Sequence, residues 1–533
     1  MRLDTHRQTR HTRGRRHRVV VVGNGMVAAR FIDELHRHSP HAAEGFDVQV
    51  IGEEPHEPYN RLLLSEVIAG RATLDGLRLP QPPAWVGVTR GAEVVHIDPV
   101  ARLVVDSREG QHAYDTLVLA TGAEPRLPLP PSTARGLRSL RTLDDCRELL
   151  AATASTARVC VVGGGLLGIE LACGLRARGA VVTVVHRATH LMERQLDEAS
   201  AEVLALEMAR LGIAVVTGAQ VTTVHESAGA VSGLELDDGR VVPADVVVVS
   251  AGVIPRTALA GAAGLTVDHG IVVGGDLRSP DDPHIAAIGD CAQEAGSWTG
   301  LLAPGWDQAR RLAAQLSGRP TQSAPGVTDV IALKAVGLSA VTIGRLDPTH
   351  RVLRLHDPDA GRAITVATDG GRVTGAICVG AAPIATTLVT AFERGTPVPV
   401  DPAFLLLDGL PSTHAPAPHP ASMPASATVC RCNDVSKQAI LDAHAEGCRS
   451  VPEVAEATRA TTGCGGCAAT VCELLASMEE SAPPRPPETH GRWPPSMVLR
   501  CQGPADLTTS SRCREKGVSP PTHRGVIRET RPG

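Results

Sequence analysis

The chain has 533 residues, of which 43% are hydrophobic, and this is enough for the cores of roughly three or four globular domains. A formal net charge of -5 and an aromatic content of 2% exclude the basic, aromatic surfaces that bind nucleic acid. No apolar run reaches the roughly 18 to 20 residues that span a bilayer. The 13 cysteines are too scattered for a secreted disulfide scaffold, so we expect a soluble protein in a reduced cytoplasm.

The N-terminal residues 1–17 are rich in arginine and histidine, and the pair Arg15-Arg16 resembles a twin-arginine export signal. The apolar run that follows, Val19–Val22, is too short for the hydrophobic region of such a signal and leads directly into a glycine motif. We therefore expect residues 1–17 to form a disordered, solvated tail.

Two glycine motifs organise the chain. The four valines Val19–Val22 predict a strand buried on both faces. Residues 23–28 then have the pattern G-x-G-x-x-A, which gives a tight turn and a close backbone approach to a pyrophosphate. The motif recurs from Gly163 to Gly168, after another apolar run. One such motif is weak evidence, but the repeat predicts two dinucleotide sites, each at the N-terminus of a helix.

Three charged residues are candidate ligands at the first site. Glu53 ends the predicted second strand, where such folds bind a ribose, and the alternative is a solvated acid at a strand end. Arg61 lies in an otherwise apolar helix start and is a candidate for contact with cofactor phosphates, with a surface ion pair as the alternative. Asp290 follows a buried strand and is a candidate for binding the polyol chain of a flavin.

These motifs, together with Ala120-Thr121-Gly122, resemble in their order and in their amino-acid sequence the motifs of the two-dinucleotide-fold pyridine nucleotide:flavin oxidoreductases. The segment Val22 to Val27 and the segment Tyr59 to Ser65 resemble more specifically the reductase half of the assimilatory nitrite reductase large subunit and the electron-transfer subunits of assimilatory nitrate reductase, over roughly residues 18–479. The resemblance implies that the first motif binds FAD, the second binds NAD(P)H, and Asp290 holds the ribityl chain.

The residues expected to bind these cofactors are Gly23, Asn24, Gly25, Met26, Ala28, Glu53, Arg61, Thr121, Gly122, Gly163, Gly165, Gly168, Glu170, His186, Arg187, Gly252 and Asp290. No side chain is expected to be catalytic, because the resemblance implies hydride transfer by bound FAD. The strand Val181–Val185 ends in His186-Arg187 rather than in an acid, and a nearby arginine can accommodate a 2′-phosphate. An exposed His-Arg pair can also be a solvated strand end, so NADH and NADPH both stay open.

Disulfide reduction, which many relatives on this scaffold perform, is disfavoured by the cysteine pattern. No C-x-x-C or C-x4-C pair occurs before residue 430. Cys160, Cys173 and Cys378 lie in apolar surroundings and are expected to be inert core residues. Cys291 follows Asp290 but has no cysteine or histidine partner nearby in sequence.

A cysteine module is predicted at residues 428–479. Cys430, Cys432, Cys464 and Cys467 form a C-x-C-x31-C-x-x-C arrangement, whose four thiolates fit zinc or an iron–sulfur cluster. Ser436 is expected to cap a helix over 437–446, and Ser450 with Glu453 to form a capping box for the next. The arrangement resembles the [2Fe-2S] domain of bacterioferritin-associated ferredoxin, which favours [2Fe-2S] and leaves zinc as the alternative.

The predicted fold class is α/β, with two Rossmann-like dinucleotide-binding domains, a small α+β domain and the helical [2Fe-2S] module. The FAD-binding domain is expected at 18–140 and 255–320, the NAD(P)-binding domain at 141–254 and the α+β domain at 321–409. A Pro/Ala linker at 410–427 precedes the cysteine module, and a disordered tail follows at 480–533. This tail has too few cysteines for the sirohaem and [4Fe-4S] domain of a full nitrite reductase subunit.

The resemblance implies a cytoplasmic NAD(P)H oxidoreductase that takes a hydride onto FAD and releases single electrons through the cluster. The implied acceptor is the catalytic subunit of an assimilatory nitrate or nitrite reductase, and the linker is expected to let the cluster swing between flavin and partner. The alternatives are a ferredoxin or rubredoxin reductase, and a flavoprotein whose cysteine module serves docking or iron sensing. No nucleic acid or membrane partner is expected, and a homodimer stays open.

Overall fold

The computed structural model describes residues 16–39, 45–155, 157–294, 296, 298–320, 330–407, 420–430, 433, 435–463 and 465–480. Most of each predicted tail and most of the predicted linker lie outside these ranges, although residues 16–17 and 480 of the tails are described. The helices are Met26–His38 (α1), Leu64–Ile68 (α2), Leu143–Ala152 (α3), Leu166–Ala177 (α4), Glu198–Arg210 (α5), Ala258–Ala262 (α6), Leu302–Leu316 (α7), Ala382–Arg394 (α8), Lys437–Ala445 (α9), Val451–Thr458 (α10) and Ala468–Glu480 (α11). Across the described part of the chain, every helix falls short of the length and apolar character that crossing a bilayer needs.

The first sheet is parallel and is built around the four valines. Its strands lie in the order Ile285–Ala287, Thr116–Leu119, His17–Val22, Phe46–Gly52 and Val86–Arg90. Val19–Val22 are at most 5% exposed, as expected for a central strand covered on both faces. Helices α1 and α7 pack together on this sheet, with Phe31, Leu35 and Leu312 in the shared core. The chain therefore leaves this sheet after residue 119 and returns to it at residue 285.

The second sheet repeats the arrangement with a different part of the chain. Its parallel strands lie in the order Ile213–Val216, Val181–Val185, Arg158–Val162, Val246–Val249 and Leu137–Ser139. Helices α3, α4 and α5 contribute to its core. The two chain crossings between the sheets, Ala123–Pro125 and Val253–Pro255, pair with each other as antiparallel strands. The chain therefore passes from one sheet to the other and back at two neighbouring positions.

Smaller sheets complete the two nucleotide-binding parts. Antiparallel strands pair at Val94–Asp98, Leu103–Asp106 and Gln111–Ala113, and again at Val221–Ser227, Ala230–Leu236 and Val241–Pro243. A short parallel pair joins Ile271–Val273 to Ala292–Glu294.

The remaining described residues form an α+β domain and the cysteine module. The α+β domain has five antiparallel strands, in the order Val330–Ala332, Ala340–Gly344, Arg372–Val379, Arg362–Asp369 and Arg351–Asp357, covered by α8. The cysteine module has a strand pair, Thr428–Cys430 with Val435–Ser436, and the helices α9, α10 and α11. The predicted α/β fold class is confirmed.

The capping predictions for the cysteine module are also confirmed. The Ser436 hydroxyl accepts a hydrogen bond from the Ala439 backbone N–H at 3.2 Å, so it caps α9. Both hydrogen bonds of the predicted capping box between Ser450 and Glu453 are present at the start of α10. Local hydrogen bonds thus set where these two helices begin.

Glu170 links three parts of the fold. It lies on α4 and is 7% exposed. Its carboxylate accepts a hydrogen bond from the Ser65 hydroxyl on α2 at 2.7 Å and another from the Lys334 backbone N–H at 3.0 Å. Both oxygens are therefore used in packing between the second sheet, the first nucleotide-binding part and the α+β domain. A contact between Glu170 and a nucleotide stays a prediction.

The Glu170→Ala variant is expected to lose about 1 to 3 kcal/mol of unfolding free energy, because it leaves the buried Ser65 hydroxyl and the partly buried Lys334 N–H without an acceptor. Urea denaturation of the holoprotein would measure the change. Glu202→Ala is the matched control, because the Glu202 side chain is 62% exposed on the neighbouring α5. Equal losses in the two variants would contradict the linking role of Glu170.

Candidate functional site

An open cleft with a volume of about 210 Å³ lies at the carboxyl ends of the first sheet. This is where open parallel sheets bind their ligands. The predicted site residues that line it are Gly23, Asn24, Gly25, Met26, Glu53, Arg61, Thr121, Gly122 and Asp290. Lining residues that the sequence did not single out include Glu54, Tyr59, Arg141, Thr142 and Arg256. The structure thus brings together most of the residues predicted for the first site, from five separate segments.

The first glycine turn fits an anionic cofactor. Gly23 has φ +110°, and a Cβ there would lie 2.2 Å from the Ala120 carbonyl oxygen, so this glycine is required by the fold itself. A Cβ on Gly25 would meet nothing within 4 Å, and Gly25 precedes α1 without any side-chain cap. The N–H groups at the start of α1 are therefore left for a ligand, such as a pyrophosphate.

Two further predicted residues of this turn differ in role. Asn24 has a buried Nδ2 atom without a hydrogen-bond partner, which suits a polar group of a bound cofactor. Ala28 is 1% exposed and packs in the core of the first sheet instead of lining the cleft. Its small side chain allows the close helix packing that the motif predicts.

The predicted acids of the cleft are both paired with arginines. Glu53 accepts a hydrogen bond from Arg256, and its side chain is 49% exposed. Asp290 accepts from the Arg141 Nη2 atom at 2.8 Å, while Arg141 Nε donates to the Ala123 carbonyl at 3.1 Å. Each carboxylate is thus held beside the cleft by an arginine. No short-range pattern could have identified Arg141 or Arg256, because each reaches its partner from a distant part of the chain.

Arg61 is in an ion pair beside the cleft. It lines the cleft, and its Nη2 atom also lies 2.8 Å from Glu54 Oε1 in an ion pair. Its guanidinium stacks 5.3 Å from the centre of the Tyr59 ring, and the Tyr59 hydroxyl donates to Glu54 at 2.7 Å. Burial raises the pKa of Tyr59, so this hydroxyl keeps its proton at neutral pH. Contact between Arg61 and cofactor phosphates stays a prediction.

The second glycine turn repeats the geometry of the first. A Cβ on Gly163 would lie 2.2 Å from the Ser250 carbonyl oxygen, and one on Gly168 would lie 1.9 Å from the Gly163 carbonyl oxygen. A Cβ on Gly165 would meet nothing within 4 Å. The middle glycine is again the one that leaves space for a ligand at the N-terminus of a helix, here α4.

His186 lies at the end of the strand Val181–Val185, but it is not a solvated residue. It is 7% exposed. Its Nδ1 atom accepts a hydrogen bond from the Gly164 backbone N–H at 3.1 Å, and its Nε2 atom lies 3.0 Å from Glu193 Oε2. The neighbouring Arg187 is exposed. The solvated alternative is therefore wrong for His186, while the choice between NADH and NADPH stays open.

Three predicted site residues, Thr121, Gly122 and Gly252, lie beside the two segments in which the chain crosses between the sheets. The Arg256 backbone N–H donates to the Gly122 carbonyl at 2.9 Å, and the Thr121 hydroxyl donates to the Arg256 carbonyl at 2.8 Å. The Gly252 carbonyl accepts from the Arg126 N–H at 2.9 Å. These bonds join the two crossings beside the cleft.

The cysteines of the nucleotide-binding parts do not form a redox pair at the cleft. Among the described residues that line the cleft there is no cysteine. Cys160, Cys173 and Cys378 are at most 2% exposed, and burial raises the pKa of each to about 12. Cys291 is fully buried, and its thiol lies 3.4 Å from the Leu119 carbonyl oxygen. These thiols are protonated core groups, as the sequence predicts.

The cysteine module brings two of its predicted ligands together. Cys430 is 2% exposed and Cys467 is 8% exposed, and both lie in the module core. A hydrogen bond from Cys467 lowers the pKa of Cys430 to about 6, although burial opposes the shift. Cys432 and Cys464 lie outside the described residues. A buried pair of thiols that favours the thiolate fits a four-cysteine cluster site.

Comparison with known proteins agrees with both parts of the site. Residues 17–311 match the family model described as pyridine nucleotide-disulphide oxidoreductase, and residues 428–477 match the BFD-like [2Fe-2S] binding domain. The chain therefore belongs to the pyridine nucleotide-disulphide oxidoreductase family and carries a BFD-like [2Fe-2S] domain. Its cofactors are FAD, NAD(P)H and a [2Fe-2S] cluster, as predicted.

Two curated relatives come from Bacillus subtilis (strain 168). The chain is 33% identical to the assimilatory nitrate reductase electron transfer subunit, over 89% of this chain and 61% of that protein. It is 32% identical to nitrite reductase [NAD(P)H], over 86% of this chain and 57% of that protein. The chain thus spans about three fifths of the length of these relatives.

Among solved structures, the covalent putidaredoxin reductase–putidaredoxin complex matches with a TM-score of 0.65 and 27% identity. The match covers 75% of this chain and 97% of the other.

The two open glycines predict separate cofactor losses. Gly25→Val is expected to fold but to be purified without FAD, because a Cβ at residue 25 meets no protein atom within 4 Å and the side chain would occupy the space for the pyrophosphate. Gly165→Val is expected to keep FAD but to lose its reduction by NAD(P)H. Visible absorbance and circular dichroism measure flavin content and folding. Full flavin occupancy in Gly25→Val would overturn the assignment of the first turn to FAD. Normal flavin reduction by NAD(P)H in Gly165→Val would overturn the assignment of the second turn to NAD(P)H.

The cysteine module is expected to hold about two irons per chain and little zinc, with an EPR signal of a spin-one-half centre after reduction. Cys430→Ser should lose this signal. Cys448→Ser is the control, because Cys448 packs beside the module core and lies outside the four-cysteine pattern. Stoichiometric zinc without an EPR signal, or an unchanged signal in Cys430→Ser, would contradict the assignment.

Proposed function

We propose that this protein is an NAD(P)H-dependent FAD and [2Fe-2S] reductase that passes single electrons to the catalytic subunit of an assimilatory nitrate or nitrite reductase. The observation that carries the proposal is the presence, in one chain, of two nucleotide sites and a cysteine module, over the region shared with relatives named for nitrate and nitrite reduction.

The residues of the first cleft would bind and orient the flavin. The N–H groups at the start of α1 would bind the pyrophosphate, Glu53 the ribose and Asp290 the ribityl chain. The arginine partners of these acids, Arg256 and Arg141, fix the carboxylates at the cleft rim. The open turn at Gly165 would receive the nicotinamide dinucleotide in the same way.

A flavin accepts the two electrons of a hydride together and can release them one at a time, which a [2Fe-2S] centre requires. Each NAD(P)H oxidised to NAD(P)⁺ therefore corresponds to two single electrons delivered and one proton released. The absence of a cysteine among the described cleft residues favours this route over disulfide reduction. Buried Cys291, whose pKa is raised by burial, is unsuited to attack a disulfide.

A second candidate function is the reduction of a small iron–sulfur protein. It is favoured by the similarity to putidaredoxin reductase solved with putidaredoxin, over nearly the whole of that chain. Against it stands the cysteine module, which already supplies a one-electron carrier within this chain. If the module served only docking or iron sensing, NAD(P)H would not reduce its cluster in a rapid-mixing experiment.

The isolated chain is expected to reduce one-electron dyes with NAD(P)H, but to consume neither nitrate nor nitrite. Cys464→Ser should keep much of the dye activity, because some dyes take electrons at the flavin, and should abolish turnover of an added nitrate or nitrite reductase. Cys448→Ser is the matched control and should support normal turnover. Nitrite loss with the isolated chain, or full partner turnover with Cys464→Ser, would show that the proposed electron route is wrong.

A further inference from the structure

The cysteine module contacts helix α1 of the first nucleotide-binding part through buried charges. Arg459, at the end of α10, is 7% exposed and has φ +65°. Its Nη1 atom donates to Asp33 Oδ2 at 2.8 Å, and its Nη2 atom to Glu34 Oε1 at 3.4 Å. Glu34 itself is 2% exposed. An ionised group with so little water around it is stable only when paired, so the Arg459 guanidinium depends on these two carboxylates of α1.

Arg30 extends the contact to a predicted cluster ligand. Its Nε atom lies 2.8 Å from Glu34 Oε1, and its Nη1 atom donates to Asn433 Oδ1 at 2.6 Å. The Asn433 Nδ2 group donates to the Arg459 carbonyl at 2.7 Å and lies 3.8 Å from Cys430 Sγ. A continuous chain of polar contacts therefore runs from α1, the helix that begins at the first glycine turn, to the sulfur of Cys430.

The charge of Arg30 persists at neutral pH. Burial and, to a smaller extent, the nearby Arg459 lower the pKa of Arg30 to about 10, which is still well above neutral pH. The guanidinium also lies 5.5 Å from the centre of the Trp306 ring, on α7. Arg30 is thus a cation held between α1, α7 and the cysteine module.

A second, independent contact joins the module to the wall of the cleft. Asn60 is 2% exposed and lies between Tyr59 and Arg61, which both line the cleft. Its Nδ2 group donates to the carbonyls of Thr462, at 2.8 Å, and Gly463. These two residues immediately precede Cys464.

The residue after Cys464 packs against the same wall. A Cβ on Gly465 would lie 3.1 Å from the Leu63 side chain, so this part of the loop approaches the cleft segment closely. Residues 462, 463 and 465 are therefore held against the segment 60–63, of which Arg61 and Leu62 also line the cleft.

We propose that the cysteine module has a fixed docking site on α1 and on the segment 60–63, and that Arg30, Asn60 and Arg459 are positioning residues that hold the cluster ligands beside the flavin cleft. This inference rests on the proposed function for its role in electron transfer, but the docking itself does not. Electrons would pass from flavin to cluster within the docked arrangement, and the partner reductase would take them from the outer face of the module. A module that moved freely on its linker would separate the buried Arg459 guanidinium from its carboxylate partners.

Arg459→Asp tests the docking in the full-length holoprotein. Aspartate tolerates the positive φ at this position better than most residues, and it repels Asp33 and Glu34. Hydrogen–deuterium exchange in residues 26–38 and 456–463 is expected to accelerate about tenfold or more. The cluster EPR signal and dye reduction should be unchanged, whereas reduction of the cluster by NAD(P)H in rapid mixing should slow about tenfold or more, because the module is then only tethered.

Two further variants separate docking from a general loss of structure. The double variant Arg459→Asp with Asp33→Arg restores an opposite-charge pair and should recover most of the exchange protection and of the cluster reduction rate. Arg240→Asp is the matched control, because Arg240 is an exposed arginine whose partner Asp238 is also on the surface. It should leave both measurements unchanged. If Arg459→Asp is purified without its cluster, Asp33→Asn replaces it as the test, because it alters only the α1 side. Asp33→Asn should weaken docking in the same direction.

The two measurements distinguish failure of the docking from failure of the proposed function. Wild-type exchange in both Arg459→Asp and Asp33→Asn would overturn the docking site, whatever the enzyme reduces. If NAD(P)H does not reduce the cluster of the wild-type protein, the proposed function is wrong. The hydrogen–deuterium exchange data would still decide whether the module docks. Fast cluster reduction in an undocked variant would show that the positioning residues have no part in electron transfer.

Discussion

The turn at Gly23 is the constraint on which the rest of the structure depends. Its backbone lies so close to the Ala120 carbonyl that no side chain fits, and this contact sets the direction in which α1 leaves the first sheet. The N-terminus of α1 then points its free N–H groups into the cleft. The middle of the same helix carries Arg30, Asp33 and Glu34 to the cysteine module. One tight turn therefore positions both the nucleotide site and the surface that contacts the module.

The sequence was sufficient to predict the parts of the fold that depend on neighbours along the chain. Val19–Val22 followed by the glycine motif predicted a central parallel strand and a helix, and Ser450 with Glu453 predicted a capping box, all of which are present. These features are set by β-branched residues, by glycine and by side chains that bond within one helical turn. The family resemblance added the cofactors, because the order of motifs is more specific than any one of them.

Contacts between distant segments could not be predicted in this way. Asn60 was part of a recognised segment, yet nothing in that segment indicated that its amide bonds to the loop before Cys464. Glu170 belongs to the second glycine motif, but its carboxylate holds Ser65 and Lys334. The side chain of His186 at a strand end gave no sign that it would be buried against Gly164 and Glu193. In each case the partner is chosen by tertiary packing, which local periodicity does not encode.

The position of the docking surface along the chain has a consequence for synthesis of the protein. Helix α1, the sheet beneath it and α7 are all complete by residue 316, whereas the first cysteine of the module is residue 430. Domains generally fold from the N-terminus as the ribosome releases them. The surface that receives Arg459 and Asn433 therefore exists before the module leaves the ribosome. The flavoprotein part then acts as a template on which this later-made segment assembles, and the cysteines converge next to a cleft that is already formed.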